Sequence, residues 1–475
     1  MNATIDTDQL VDTLKPGYID LSDRIWDMPE LRYQEQQSVS AQIEMMEAAG
    51  FKITRNVAGI PTAFMAEAGE GGPVIGFLGE FDALAGLSQE AGIAQKSPLA
   101  EGGNGHGCGH NLLGAGAMLA AVATRDHLAA KGMAGRVRYF GCPAEEGGSG
   151  KTFMAREGAF DGLDAAFCWH PASFNTLIPS NSLANVQAYF RFAGRAAHAA
   201  ASPELGRSAL DALELMSVGV QYLREHMPEK ARVHSAITNT GGISPNVVQD
   251  SAEALYLIRA PQVNEALALF ERVKKVALGA AMMTETTVEI EVDKACSNLL
   301  RNATLDELMQ AQMERIGGIE FDADDLTYAK AIQDTLQPDD IGAAFKMFGL
   351  EPKGKPPVLA GDILAGPRPE LVLPGSTDVG DVSWQVPTAQ VMTACHAVGT
   401  PFHSWQLVAQ GKSPAAHRGM VFAAKTMAAS AISLFDNPDL LGRAKAEFAE
   451  RTAITPYTCP IAPEVDLPFR RAKAR

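Results

Sequence analysis

The chain has 475 residues, 46% hydrophobic and 20% charged, which suits two or three globular domains with ample core and no need of disulfides to fold. A formal net charge of −16 argues against nucleic acid or an anionic membrane as the main partner, because both are bound through basic surfaces. Six cysteines at irregular spacings are not a secreted disulfide framework, and no apolar run approaches the ~18–20 residues that span a bilayer. The acidic opening stretch MNATIDTDQL has no apolar segment of the signal-peptide kind, so a reducing cytoplasm is the expected location.

Residues 8–50 read as helical, with apolar positions at helical spacing and a stop at Gly50. The run 74–79 reads as a buried strand ending in Glu80-Phe81-Asp82, and the small, apolar stretch 111–130 as a buried helix. Strands are expected at 136–141, just before Glu145-Glu146, and at 163–169, with His170 at the tip. Alternating strands and helices with polar residues at strand ends describe an α/β fold with a central, mostly parallel sheet and a site at its carboxyl edge. From residue 184 the pattern becomes strand 185–193, helix 206–226, strands 233–240 and 253–259, helix 263–278 and strand 286–292. That βαββαβ order is the ferredoxin-like unit, read as a domain of 184–298 inserted into a discontinuous domain of 1–183 and 299–475. The earlier pattern resumes at 305–315, and 322–374, rich in Asp, Pro and Gly, reads as an irregular excursion.

The chemistry concentrates at a few positions. Cys108 and His110 form a C-x-H pair on glycine-rich backbone, so a soft thiolate and an imidazole can face one metal ion. A lone buried cysteine is usually only a small apolar residue, but GGNGHGCGHN is too glycine-rich for packing; His106 fits loop support better than ligation. Glu145 and Glu146 follow a strand and precede two glycines; their side chains diverge, so one can bind metal while the other moves a proton, although an acidic pair is more often a solvated loop. His170 and His403 at element ends complete a metal-suited set, and Asp82 and Asp378 are candidates for orienting ligands or base, or for forming turns. In the inserted domain nothing local marks His198 as catalytic, while Asn246 and Arg259 could clamp a carboxylate or be ordinary polar groups.

Taken in order, G-x-C-G-H, P-A-E-E, W-H, G-x-x-A-H-A-A, G-S-x-D and T-P-x-H-S resemble the motifs of the M20 metallopeptidase and amidohydrolase family over nearly the whole chain. The likeness is to its M20D branch, with its aminobenzoyl-glutamate hydrolases and auxin–amino acid conjugate hydrolases, and within it to the aminobenzoyl-glutamate type. The resemblance implies hydrolysis of an N-acyl amino acid, with a dipeptide as the alternative substrate, by a water activated at two divalent ions, zinc or manganese. It implies Cys108, His110, Glu146, His170 and His403 as ligands, Glu145 as general base, and His198 as a histidine that reaches the neighbouring protomer's site. It further implies Asn246 and Arg259 as holders of the substrate carboxylate, and the inserted domain as a lid through which a homodimer forms. Asn111, Ala85 and Glu80 depart from the common pattern: many relatives carry Asp, Pro, and Asp or a metal-binding His there. A cysteine hydrolase with Cys108 as nucleophile and a metal-holding binding protein without turnover are the rival classes.

Overall fold

The computed structural model describes residues 6–178, 181–352, 354–366, 371–373 and 375–468. The chain begins with helices α1 (Thr7–Trp26) and α2 (Gln36–Ala48), strands β1 (Lys52–Arg55), β2 (Phe64–Glu70) and β3 (Val74–Glu80), helix α3 (His110–Lys131) and strand β4 (Gly135–Cys142). Helix α4 (Gly150–Arg156) and strands β5 (Ala165–Ala172), β6 (Thr176–Leu177) and β7 (Ala184–Ala193) come next. They lead to helix α5 (Ala209–Leu223), strands β8 (Arg232–Asn239) and β9 (Ser251–Ala260), helix α6 (Val263–Thr284) and strand β10 (Thr287–Cys296). Helices α7 (Ala303–Ile316), α8 (Ala323–Gln333) and α9 (Pro338–Met347), strand β11 (Thr388–Ala394), and helices α10 (Pro414–Asp436) and α11 (Pro438–Ile454) follow, with shorter helices and two-residue strands between them. Two compact units emerge: Met1–Asn181, Leu300–Leu373 and Val382–Tyr457 form one, Ser182–Leu299, Pro374–Asp381 and Thr458–Arg475 the other.

The first unit is built on a seven-stranded sheet in the order β1-β2-β4-β3-β5-β11-β6. The pairings β4/β3, β3/β5 and β5/β11 are parallel, whereas β1/β2, β2/β4 and β11/β6 are antiparallel. The sheet is therefore mixed, and the expected parallel character holds for its four inner strands. Every residue of β3 is buried, the mark of a strand covered on both faces. Helix α3 lies almost on this strand because its facing residues are small. A Cβ built on Gly114 would sit 2.7 Å from the Glu80 carbonyl oxygen, and one on Gly116 would sit 2.9 Å from the Trp169 ring. The Trp169 indole N–H donates to the Leu113 carbonyl at 2.9 Å and pins the helix to β5.

The second unit is a four-stranded antiparallel sheet, β10-β7-β9-β8, with α5 and α6 packed on it in βαββαβ order. Along β7, buried Val186, Ala188, Phe190 and Phe192 alternate with the less buried Gln187, Tyr189 and Arg191. That alternation made the unit readable. The helical reading of 8–50 corresponds to two helices, α1 and α2, whereas 322–374 needs correction: it contains α8 and α9 rather than irregular chain alone. The Asp322 carboxylate accepts the Asp324 and Asp325 amide protons, and Pro338 opens α9, so the acids and proline that suggested loop are helix starts. Residues 353, 367–370 and 374 of that segment lie outside the described residues. Strands β1, β2 and β11 and helix α11 were not anticipated. Among the described residues no helix is long and apolar enough to cross a membrane.

The close seat of α3 makes Gly114→Ala a direct test. The added methyl meets backbone rather than a movable side chain, so a loss of about 1–3 kcal/mol is expected, read as a fall of several degrees in the thermal unfolding midpoint. An unchanged midpoint would show that helix and strand have slack.

Candidate metal centre

The inner parallel strands bring their carboxyl ends to one edge, and the candidate residues follow those ends. Strand β3 ends at Glu80 and runs on to Asp82; β4 ends just before Ala144 and a helical turn, Glu145–Gly148; His170 lies near the end of β5; His403 lies in the loop after β11. Cys108 precedes α3, and His110 is that helix's first residue. The glycines around Cys108 allow close approach: a Cβ on Gly107 would lie 3.3 Å from His403 Cα, and the His403 N–H donates to the Gly107 carbonyl at 2.8 Å.

His110 is fully buried between carboxylates. Its Nδ1 donates to Asp82 Oδ1 at 2.9 Å, while Asp82 Oδ2 accepts the Glu146 N–H at 2.9 Å. Its Nε2 makes no hydrogen bond, although Glu80 Oε2 is 3.2 Å away and Glu145 Oε2 4.0 Å. A neutral imidazole carries one N–H. With that proton turned to Asp82, an Nε2 lone pair faces carboxylate oxygen, an arrangement that calls for a positive charge between them. Burial alone would lower the His110 pKa, but the neighbouring Cys108 and Asp82 override it and push it well up. A divalent cation satisfies the same demand.

The other donors pair in the same way. Cys108 Sγ lies 3.4 Å from His170 Nε2, and Glu146 Oε2 lies 3.3 Å from His403 Nε2. The His170 Nδ1–H donates to the Pro171 carbonyl at 2.7 Å, which leaves its Nε2 lone pair toward the thiol. Ligand atoms held at ~2.0–2.3 Å from one ion stand roughly 3–4 Å apart, and these separations are of that kind. Three sets gather ligand atoms within 4.8 Å of one another: Cys108, His110 and His170; Cys108, Glu146 and His403; and Glu80, His110 and Glu145. Cys108 and His110 link the sets, so all five expected ligands meet in one cluster. Burial, then the Glu146 charge, pushes the Cys108 thiol up, so a cation is needed to hold it as thiolate.

Sequence reasoning marked Glu80 only as a departure from the family pattern and did not count it among the donors, and it missed Lys151. Lys151 is fully buried in α4, with Nζ 2.6 Å from Glu80 Oε1. Burial would raise the Glu80 pKa, but the Lys151 charge, joined by those of His110 and His170, outweighs it and keeps the carboxyl below its usual range. A lysine after a glycine-rich turn carries no local sign of such a partner. His106 is absent from all three sets; its Nε2 pairs with the Ile25 carbonyl at 3.0 Å, and burial drives its pKa down to about 4.

The remaining candidates belong to the second unit. His198 Nδ1 accepts the Ala200 and Ala201 amide protons at 3.2 and 3.1 Å, and the Asn246 carbonyl accepts the Ala199 N–H at 3.0 Å, so His198 and Asn246 are near neighbours. Arg259 Nη1 donates to Ser376 Oγ at 3.0 Å, and among the described residues no acidic side chain pairs with it. No hydrogen bond among the described residues joins Arg259 to His198 or Asn246. Asp378 sits in a turn where the Thr377 and Asp378 carbonyls accept the Gly380 and Asp381 N–H groups.

A mixed α/β core, an inserted βαββαβ unit and thiolate, imidazole and carboxylate donors at the sheet's carboxyl edge define a metallo-amidohydrolase. The chain belongs to peptidase family M20/M25/M40, whose model matches residues 76–335. It is 51% identical to a p-aminobenzoyl-glutamate hydrolase chain of Escherichia coli, over 96% of this chain and 97% of that protein. It is 30% identical to the Xaa-Arg dipeptidase of Mus musculus, over 90% of this chain and 88% of that one. Its fold is similar to that of a dinuclear metal binding peptidase of the M20 family from Bacillus subtilis, with a TM-score of 0.53 at 18% identity over 87% of this chain and 98% of that one.

Because Cys108 joins two donor sets, Cys108→Ala should lower the bound metal per chain, measured by elemental analysis after dialysis. Full occupancy in that variant would remove Cys108 from the ligand set.

Proposed function

We propose that this chain hydrolyses the amide bond between an acyl group and an amino acid, with an aromatic acyl–glutamate conjugate of the p-aminobenzoyl-glutamate kind as its substrate. The observation that carries the reading is one cluster of five metal-suited side chains with Glu145 at its edge. The name of the 51% identical E. coli relative supports the substrate class. A dipeptide is the second reading, favoured by the likeness to the mouse Xaa-Arg dipeptidase.

Cys108, His110, Glu146, His170 and His403 would hold two divalent ions. Thiolate and imidazole favour zinc by softness, and the carboxylates suit manganese as well. Bound there, the ions would supply Lewis acidity that acidifies a water and polarises the scissile carbonyl. Glu145 takes the attacking water's proton and passes it to the leaving nitrogen. Its neighbour Glu146 lies 3.3 Å from His403, which supports reading Glu146 as the ligand and Glu145 as the base. The His198 Nδ1 accepts two backbone N–H groups, so a neutral ring carries its proton on Nε2 and can donate it to the developing oxyanion. Arg259, without an acidic partner among the described residues, is suited to the substrate carboxylate, with Asn246 as a second polar contact.

The same reading includes a homodimer in which His198 serves the other copy's site. Among the described residues the outer strand β8 leaves one edge unpaired and exposed, a template for pairing with its twin. The E. coli relative is named as one subunit of its enzyme, so a second kind of chain is the competing partner. Six free cysteines, five of them buried, suit a reducing cytoplasm.

The test is release of glutamate from p-aminobenzoyl-glutamate by the chain supplied with zinc or manganese, run beside Glu145→Gln. That variant should keep its metal and lose on the order of 10²–10⁴ in kcat, the usual contribution of a general base. Undiminished turnover would remove Glu145 from the mechanism, and cleavage of dipeptides alone would favour the second reading.

A further inference from the structure

The helical turn that carries Glu145 and Glu146 is bounded by strain. Ala144 has φ of 62° and Ser149 φ of 51°, both in the left-handed region that non-glycine residues avoid. Such conformations persist where surrounding structure over-determines them. The support comes from the connection between α1 and α2. The Glu35 carboxylate accepts the Ala144 N–H at 3.0 Å, the Tyr33 hydroxyl donates to the Gly148 carbonyl at 2.7 Å, and the Arg32 guanidinium donates to the Gly147 carbonyl. The turn also lies flush on these side chains: a Cβ on Gly148 would come within 2.5 Å of the Tyr33 ring.

The connection reaches further. The Glu30 carbonyl accepts the Ala83 N–H at 2.8 Å beside Asp82, and the Pro29 carbonyl accepts the Asn104 amide at 3.0 Å on the way to Cys108. Tyr33 is itself held at φ of 62°, and the Glu30 carboxylate caps α2 through the Gln37 and Ser38 N–H groups at 3.0 and 2.9 Å. A segment far from the donors in sequence thus grips three loops of the centre at once.

We infer that Arg32, Tyr33 and Glu35 are positioning residues for the general base: they fix the backbone on both sides of Glu145 and so set where its carboxylate stands. This rests on Glu145 being the base. Glu35 is well matched to the task, because burial and then the Asp82 charge push its carboxyl up to about 8, so that it sits mostly neutral beside an acidic centre. A glutamine there keeps the oxygen that accepts the Ala144 N–H.

The experiment compares Tyr33→Phe, Glu35→Ala, Glu35→Gln and Glu145→Gln in the metal-loaded full chain, measuring kcat, KM, metal per chain and the unfolding midpoint. Tyr33→Phe and Glu35→Ala should each lose on the order of 10-fold or more in kcat, with KM and metal content unchanged; misplacing a catalytic group by about an ångström costs up to 10²-fold. Glu35→Gln should restore most of the rate. Should Glu35→Ala fail to fold, Tyr33→Phe, which removes one oxygen, carries the test with Glu35→Gln as control. Full kcat in Tyr33→Phe while Glu145→Gln is inactive would overturn the clamp and leave the base in place. Loss of metal, or a rise in KM matching the fall in kcat, would overturn it in favour of general structural support. An active Glu145→Gln would instead strike the reading on which the clamp rests.

Discussion

A fully buried imidazole held between carboxylates is the constraint on which the rest of this structure depends. His110 spends its one neutral N–H on Asp82 and turns the other nitrogen toward Glu80 and Glu145. Buried as it is, that nitrogen needs a positive charge in front of it, and leaving it without one is costly. The same logic extends to Cys108 against His170 and Glu146 against His403. These pairs gather negative charge and imidazole nitrogens at one sheet edge, an arrangement that a bound cation would balance.

Holding such a site takes rigid backbone, and the fold supplies it through close contact. The small residues of α3 let the helix rest on β3, so His110 and Asp82 are fixed by the same packing that forms the core. Glycines in the Cys108 loop let that loop lie on the backbone of His403. The Lys151–Glu80 pair ties α4 to the end of β3, and a buried pair of this kind serves placement more readily than stability. The α1–α2 connection grips the Glu145 turn from the other side.

The sequence made the donors legible because their types are unusual where they stand. A cysteine and a histidine among glycines, two glutamates after an apolar strand, and histidines at element ends all stood out before any geometry was known. The βαββαβ unit was legible because its strands alternate cleanly and its helices repeat at helical spacing. Strand β1 was not, being four residues long, and β2 and β11, though as long as β3, break their apolar runs with Glu67 or with Gln390 and Thr393. Helices α8 and α9 were hidden by Asp and Pro, which serve equally in loops and at helix starts. Lys151, Tyr33 and Glu35 were invisible near the site for a different reason: each acts through a partner distant in the chain, and no local pattern marks a side chain by what the tertiary fold brings to it.

The central claim is that one cluster of five side chains holds two cations beside a carboxylate that moves protons. The most direct measurement is anomalous diffraction at the metal edge from crystals grown with zinc or manganese. The account predicts two peaks per chain, within bonding reach of Cys108, His110, Glu146, His170 and His403, with Glu145 facing them from outside the ligand set. Peaks confined to other side chains, or no ordered cation in this cluster at saturating metal, would contradict it.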